Sequence, residues 1–428
     1  MKRSPVAVVL GVRTPFCKAN GVFKHIKAKD LGAWALRELL ARAPVKKEEV
    51  DEAIVGNVIQ PPDDTNIGRI IAVLGGLPIT CPAFTVNRNC ASGMEAIVTG
   101  VNQILLDKSS IIVAGGAESM SYTPITFPES MRDFLWTLSK TKGIFAKIKQ
   151  LFSFRPSMLK PQLPSIHDPI CDLTMGQTAE VISRELGVTR KEQDDFAFLS
   201  QKRAAEALAS GRFKEEIVPV PLPPDYQKFQ ENDDGIRPDQ KREDLDKLRP
   251  VFEKLTGQVT AGNSSQVTDG AAFVLLMSEE EVKKRGIKPL GWITHTNAVA
   301  IEPSRMGLGP VYAISKMLEE TGLKLEEIDL IEINEAFAAQ IVALEKAFLS
   351  EDFAKKELGR DKPVGKLDRD KLNVNGGAVA LGHPVGATGA RIILTLLTEL
   401  KIRGKKRGIA TLCVGGGQGE AVLVEAAE

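Results

Sequence analysis

Cys90 stands within residues 84–97, FTVNRNCASGMEAI, where a β-strand ought to stop and an α-helix ought to start. Phe84 and Val86 suit a short strand; from Ala91 onward Met94, Ile97, Val98, Val101, Ile104 and Leu105 recur at helical spacing. A thiol at a helix N-terminus faces unpaired N–H groups and the positive end of the helix dipole, which predicts a stabilised thiolate with a lowered pKa. Ala91, Ser92 and Gly93 leave room for a carbonyl to approach the sulfur. The pattern points to a nucleophile, whereas a free cysteine met alone is more often a small buried hydrophobe.

The far end of the chain supplies partners. Residues 373–391, NVNGGAVALGHPVGATGAR, ahead of a predicted helix at 392–400, are dense in glycine, as a backbone must be to turn sharply or approach a bulky ligand. His383 sits among them, one of only four histidines, and a surface loop with an incidental histidine is the plainer alternative to a general base. No G-x-x-x-x-G-K-[ST] is present, and the glycines do not follow a strand as a dinucleotide fingerprint would. Cys413, in ATLCVGGGQGEA, ends a predicted strand ahead of three glycines whose N–H groups suit an oxyanion hole. Asn334, in Asn334-Glu335-Ala336-Phe337, follows another strand, and capping of the next helix is its structural alternative.

These residues need a scaffold that brings distant strand ends together. Predicted strands at 6–10, 50–58 and 110–116, alternating with a helix over 31–43 and the helix after Cys90, give a sheet with helices on its faces. The last third echoes the first. EEVDEAIVGN (48–57) returns as EEIDLIEINE (326–335), TVNRN before Cys90 as NVNGG (373–377), and IIVAGGAES (111–119) as ATLCVGGGQ (410–418). Two similar α/β halves imply a pseudo-two-fold axis that lets Cys90 face loops of the second half. Between them, a stretch rich in Pro, Lys and Asp, with helices at 176–186 and 190–209 and a polar segment at 221–249, reads as a substrate-binding excursion.

The 428 residues, 43% hydrophobic, suit one large or two fused domains. A net charge of +1 leaves no basic excess for a polyanion, so nucleic acid is not an expected partner. Five dispersed cysteines, Cys17, Cys81, Cys90, Cys171 and Cys413, with no C-x-x-C spacing, predict neither disulfides nor a metal site and fit a reducing compartment. The basic start followed by a five-residue apolar run is too short for a signal peptide, and no apolar stretch reaches membrane-span length. A cytoplasmic protein is expected.

The sequence resembles the thiolase family along nearly its whole length. The motifs that carry the resemblance are collinear with the family: NCASGMEA around Cys90, GGAESMS from Gly115, TAGNSSQVTDGAA from Thr260, NEAFAAQ from Asn334, NGGAVALGHPVGATGAR and CVGGGQGEA. The resemblance implies a five-layered α-β-α-β-α fold of two related halves with an inserted loop domain. The expected N-terminal half spans 1–120, completed by a strand at about 265–280; the loop domain spans 121–264 and the C-terminal half 281–428. It implies thiolytic cleavage of 3-ketoacyl-CoA by CoA in fatty-acid β-oxidation, with CoA as substrate, no cofactor and a homodimer or homotetramer. Alternatives are an acetoacetyl-CoA thiolase working toward condensation, and a catalytically silent lipid-binding or scaffold member.

Carried over residue by residue, the resemblance makes Cys90 the acyl-carrying nucleophile, His383 its base and Cys413 the proton shuttle. Asn334 would position a water that binds one thioester oxygen with His383, while the N–H groups of Gly415 and Cys90 bind the other. Ser265, Ala261, Met175, Arg237, Ala336 and Phe337 are the implied CoA and substrate contacts; the residue before Met175, often His in the family, is Thr174 here.

Residues 131–160 form a separate feature. Met131, Phe134, Leu135 and Leu138 share one helical face, and Phe145, Ile148, Leu151 and Phe152 another; seven basic residues against one acidic give +6 in a chain that totals +1. Basic amphipathic helices suit an anionic membrane surface or a docking partner, against the plain alternative of a hairpin packed on its own core. The loop is similar to that of the β subunits of fatty-acid-oxidation complexes, which implies a hydratase/dehydrogenase partner subunit, while its basic amphipathic character suits peripheral membrane association. Those subunits commonly carry His where this chain has Asn334.

Overall fold

The structure, a computed structural model, describes residues 5–162 and 167–427, so the basic start at 1–4 lies outside the described residues. Apolar alternation builds the first half: β1 (Val6–Arg13), α1 (Ala28–Arg42), β2 (Glu52–Gly56), α2 (Ile67–Leu74), β3 (Ala83–Val86), α3 (Ser92–Leu105), β4 (Ile111–Ser119) and, after the long excursion, β5 (Thr268–Met277). The second half repeats it with β6 (Gly291–Ala300), α4 (Gly309–Thr321), β7 (Leu330–Ile333), α5 (Ala338–Leu349), α6 (Val385–Arg403), β8 (Arg407–Val414) and β9 (Gln418–Ala426).

The echo in the sequence is an echo in topology. The sheet runs β7-β8-β9-β6-β1-β5-β4-β2-β3, with β2 parallel to β3 and β4 as β7 is parallel to β8 and, through a bridge at Ile331, to Leu372. The halves join where Val6, Ala7 and Val8 of β1 pair antiparallel with Ile293, Trp292 and Gly291 of β6. Side chains alternate across each strand, and this sorts them into layers. Ala53, Val55 and Val113 pack with Leu31, Leu36 and Leu39 of α1 in one core. Ile54, Ile112 and Ala114 face inward, onto Met94 and Ile97 of α3 and Ile393 and Leu396 of α6. On the far side Ile331 and Ile333 pack with Ile314 of α4 and Ile341 of α5. The order is α-β-α-β-α, and each buried aliphatic side chain contributes roughly 1.5–3 kcal/mol.

The central helices start where the chain punctuates. Asn89 at φ 44° turns the chain ahead of α3, and Gly382 at φ 96° turns it ahead of α6; Gly404 in the left-handed region ends α6. The sequence reading begins the last helix at 392, yet α6 starts at Val385, because its early glycines serve contact rather than flexibility. A Cβ on Gly389 would lie 2.3 Å from the Met94 backbone nitrogen, and one on Gly93 would lie 2.6 Å from the Gly386 carbonyl oxygen. The N-terminal ends of α3 and α6 therefore touch backbone to backbone, which only glycine permits.

Within the excursion, the described residues from Thr123 to Gln162 form a compact unit of their own, and the chain from His167 onward clusters with the layered body. The small unit carries helices Glu129–Lys140 and Ile144–Leu151, with the rings of Phe134 and Phe154 5.5 Å apart.

Candidate active site

The loop that carries Cys90 follows β3. Asn89 N–H donates to Asn87 Oδ1 at 2.9 Å, while the Ser92 hydroxyl accepts the Arg88 N–H at 2.9 Å and donates to the Asn89 carbonyl at 2.7 Å. Cys90 precedes the helix N-cap, Ala91, by one residue and is half-buried. Burial pushes its thiol above the ordinary range, helped by the negative charge of Glu118; the N–H groups of Gly415 and of Cys90 itself pull the other way. The lowered pKa expected from a helix terminus is thus corrected: the thiol loses more by leaving water than two N–H groups return.

His383 lies in the loop ahead of α6. The Thr388 hydroxyl stands 2.6 Å from His383 Nδ1 and 3.0 Å from the Pro384 carbonyl; a hydroxyl proton given to that carbonyl leaves the hydrogen on Nδ1 and the lone pair on Nε2, which lies 3.4 Å from Asn334 Nδ2. Burial, reinforced by the positive charge of Arg391, lowers the imidazole to about 3, so it is neutral at physiological pH. The glycine-rich stretch around it is buried nearly throughout, which rules out the incidental surface loop.

Asn334 leaves β7 with its N–H on the Thr411 carbonyl at 3.0 Å and its own carbonyl accepting Gln340 Nε2 at 3.3 Å. It does not cap α5, whose N-cap is Phe337. Its Oδ1 is buried with no hydrogen-bond partner among the described residues, able to accept from a donor in the site. Cys413 is fully buried near the end of β8, and burial together with the neighbouring Cys90 raises its thiol far above the ordinary range. Gly415 opens the turn to β9. All these positions lie at the carboxyl ends of strands or the loops just beyond, where open α/β sheets bind ligands.

The softer assignments divide. Met175, Ala336 and Phe337 share an apolar cluster with Cys413, where Phe252 meets Phe337 edge to face at 5.9 Å. A Cβ on Gly415 would lie 3.4 Å from Met175 Sδ. Ser265 is tied to this wall through its N–H on the Ala336 carbonyl at 2.9 Å. Ala261 and Arg237 are exposed; Arg237 has its N–H on Gln201 Oε1 at 2.9 Å and its guanidinium 3.4 Å from Gln240 Oε1. Thr174 caps the helix Met175–Glu185, with Gln177 completing a reciprocal box.

Sequence reasoning gave no role to Thr388, which holds the His383 ring at Nδ1, nor to Glu118. The buried Glu118 carboxylate accepts Asn57 Nδ2 at 2.9 Å and the N–H groups of Val58, Ile59 and Gly386 at 3.0, 3.2 and 3.1 Å. It ties the loop after β2 to the first turn of α6, beside His383. Burial pushes it up to about 8, against the pull of its donors. Its place in GGAES was visible in sequence, but a partner 268 residues away was not.

A doubled five-layer α/β fold thus carries Cys413 beside Cys90, and His383 beside Asn334, on its strand ends and the loops beyond them. Residues 6–280 match the N-terminal domain of thiolases and residues 287–426 their C-terminal domain, so the chain belongs to the thiolase family. It is 38% identical to a 3-ketoacyl-CoA thiolase of Pseudoalteromonas translucida, over all of this chain and 98% of that one. A 3-ketoacyl-CoA thiolase of Alteromonas mediterranea is 40% identical over 98% of this chain and 96% of its own. Human mitochondrial 3-ketoacyl-CoA thiolase, solved in complex with CoA, superposes with a TM-score of 0.84 at 36% identity, covering 100% of this chain and 99% of that chain. An acetyl-CoA acetyltransferase of Bacillus anthracis gives 0.85 at 39% identity, covering 99% of both.

Proposed function

We infer that this thiolase cleaves 3-ketoacyl-CoA with CoA, giving acetyl-CoA and a shortened acyl-CoA, through an acyl group held on Cys90. The observation that carries the reading is the placement of His383 Nε2 3.4 Å from Asn334 Nδ2, directly ahead of the helix α6 whose first turns meet those of α3, the helix behind Cys90, backbone to backbone. His383 Nε2 takes the Cys90 proton; the sulfur attacks the 3-keto carbon, and the bond from that carbon to C2 breaks. The departing acetyl-CoA carbanion takes a proton from Cys413, which a thiol can give and recover. CoA then returns a proton to Cys413 and its sulfur attacks the acyl-cysteine, releasing acyl-CoA, while the departing Cys90 thiolate takes its proton back from His383. Asn334 holds a water that binds one thioester oxygen together with His383, and Gly415 N–H with Cys90 N–H binds the other. Ser265, Met175, Ala336 and Phe337, with Arg237 and Ala261 further out, form the CoA and acyl contacts.

CoA is the co-substrate and no other cofactor enters these steps. The active form is a homodimer or homotetramer, in a cytoplasmic setting suited to five unpaired cysteines. Residues 131–160 supply a docking face for an anionic membrane or a hydratase/dehydrogenase subunit. Its support is exposure: Trp136 is 63%, Phe145 86% and Phe152 86% exposed, on helices rich in lysine. No helix among the described residues is long and apolar enough to cross a membrane.

The test is thiolysis of 3-ketoacyl-CoA esters of graded chain length, with mass mapping of the acyl-enzyme. The expected adduct is on Cys90, absent in Cys90→Ala; an adduct on Cys17, Cys81 or Cys171 overturns the assignment. Cys413→Ala should still take an acyl group on Cys90 from a simple acyl-CoA and turn over very slowly.

A further inference from the structure

The peptide bond between Gly415 and Gly416 is gripped at both ends by side chains that the roles above leave unused. Its carbonyl oxygen accepts Asn89 Nδ2 at 2.8 Å, and its N–H donates to Asp168 Oδ2 at 2.7 Å. The two grips come from far along the chain and from opposite sides of the loop. Asn89 sits directly before the nucleophile, in a left-handed turn at φ 44°. Asp168 is buried in the small hairpin that pairs His167 with Thr174 and Asp168 with Leu173.

The peptide they hold is one that would otherwise be free to swing. Gly415 has no Cβ to limit its backbone, and Gly416 and Gly417 follow in the left-handed region at φ 87° and 75°. Beyond them the Gly417 carbonyl is fixed by the Ile301 N–H at 2.7 Å. Holding both the C=O and the N–H of one peptide fixes its plane and so restricts rotation at Gly415, the joint between this peptide and the one that carries the Gly415 N–H. That N–H favours the Cys90 thiolate, and a Cβ on Gly415 would lie 3.7 Å from Nδ2 of Asn89, the residue directly before Cys90, so the glycine stands at the sulfur's own loop. The hairpin does not need Asp168 Oδ2 for itself: Oδ1 already takes the Ile170 N–H at 2.8 Å, and the Asp168 carbonyl takes the Asp172 N–H at 3.0 Å.

We propose that Asn89 and Asp168 are positioning residues that clamp the Gly415–Gly416 peptide and thereby aim the Gly415 N–H at the thioester oxygen during acyl transfer to Cys90. The clamp rests on the reading of Gly415 and Cys90 N–H groups as oxyanion donors. It also links the nucleophile loop to that donor through Asn89, so sulfur and oxyanion site keep one geometry.

Two variants test it. Asp168→Asn keeps the shape but loses an acceptor, and Asn89→Gly removes the amide while allowing the left-handed turn. For each, the rate of acyl transfer from acetyl-CoA to Cys90 in a single turnover is compared with the rate of Cys90 alkylation by iodoacetamide at the same pH. Both reactions draw on the same thiolate fraction, but only the first develops an oxyanion, so their ratio isolates the aimed donor. The expected result is a ratio lowered about ten-fold or more, since removal of one oxyanion donor slows acyl transfer by roughly 10²–10³-fold. A folded variant of either kind that keeps the wild-type ratio overturns the clamp; should Asp168→Asn fail to fold, Asn89→Gly decides. A wild-type protein that takes no acyl group on Cys90 overturns the functional reading and the clamp with it, a result distinct from equal ratios.

Discussion

His383 is held neutral by burial, and the cost of that neutrality is measurable. In the unfolded chain a histidine titrates near 6.5, whereas in the fold burial and Arg391 bring His383 to about 3. Between those values the unfolded state binds a proton that the native state refuses, so stability is complete above about 6.5 and falls as the pH drops toward 3. This one side chain contributes a slope of up to about 1.4 kcal/mol per pH unit. His383→Gln, which cannot titrate, should show a flatter loss of urea stability between pH 6.5 and 4 than the wild type; parallel curves would mean the imidazole is charged or solvated in the fold. At this scale the sequence was most legible where rare residue types met unusual surroundings: a histidine among glycines, a cysteine before a helix. Thr388, Glu118 and Asp168 were not legible, because their importance lies in which backbone or ring atom they reach across the fold, and a one-dimensional pattern carries no such distance.

The same limit appears one scale up, in the two central helices. Periodicity located both, but the glycines of α6 read as loop because their neighbours in the sequence gave no hint of a facing helix. Helix propensity predicts that Gly389→Ala would gain roughly 1 kcal/mol, since glycine is a poor helix former. The structure predicts the opposite sign. A methyl there would lie 2.3 Å from the Met94 nitrogen and 2.7 Å from its Cβ, and backbone in a packed core cannot give way cheaply. Overpacking of this kind costs about 1–3 kcal/mol or more, which outweighs the propensity gain. Gly389→Ala should therefore lower the melting temperature, and it should lower kcat as well, because the crossing sets Cys90 against the loop of His383. An unchanged or raised melting temperature would show that the helices do not touch here. The doubling of the fold, by contrast, was legible in the internal echo, because similar sequence folds into similar strands and helices.

On the scale of the whole molecule, a near-neutral chain concentrates +6 in residues 131–160, and the structure shows how the apolar residues of that segment are spent. Phe134 packs on Phe154, but Leu135, Trp136, Ile144, Phe145, Ile148, Leu151 and Phe152 are exposed, so a hairpin packed on its own core accounts for little of the apolar surface. Lys140 lies 4.5 Å from the Trp136 ring, setting a cation beside an exposed aromatic, the pairing suited to an anionic headgroup region. Each lysine near such a surface contributes on the order of 1 kcal/mol, screened by salt beyond a Debye length of about 10 Å at 0.1 M. Replacing Lys140, Lys142, Lys147 and Lys149 by Gln removes about 4 kcal/mol of that attraction at low salt, roughly a thousand-fold in affinity. The quadruple variant should leave anionic vesicles, or candidate hydratase/dehydrogenase subunits, in co-sedimentation where the wild type pellets with them. High salt should release the wild type in the same way, and thiolysis of a short soluble substrate should continue in both proteins. A wild type that binds neither vesicles nor partner at low salt would leave the exposed aromatics without a docking role, and equal binding by the variant would assign the attraction to the apolar face alone.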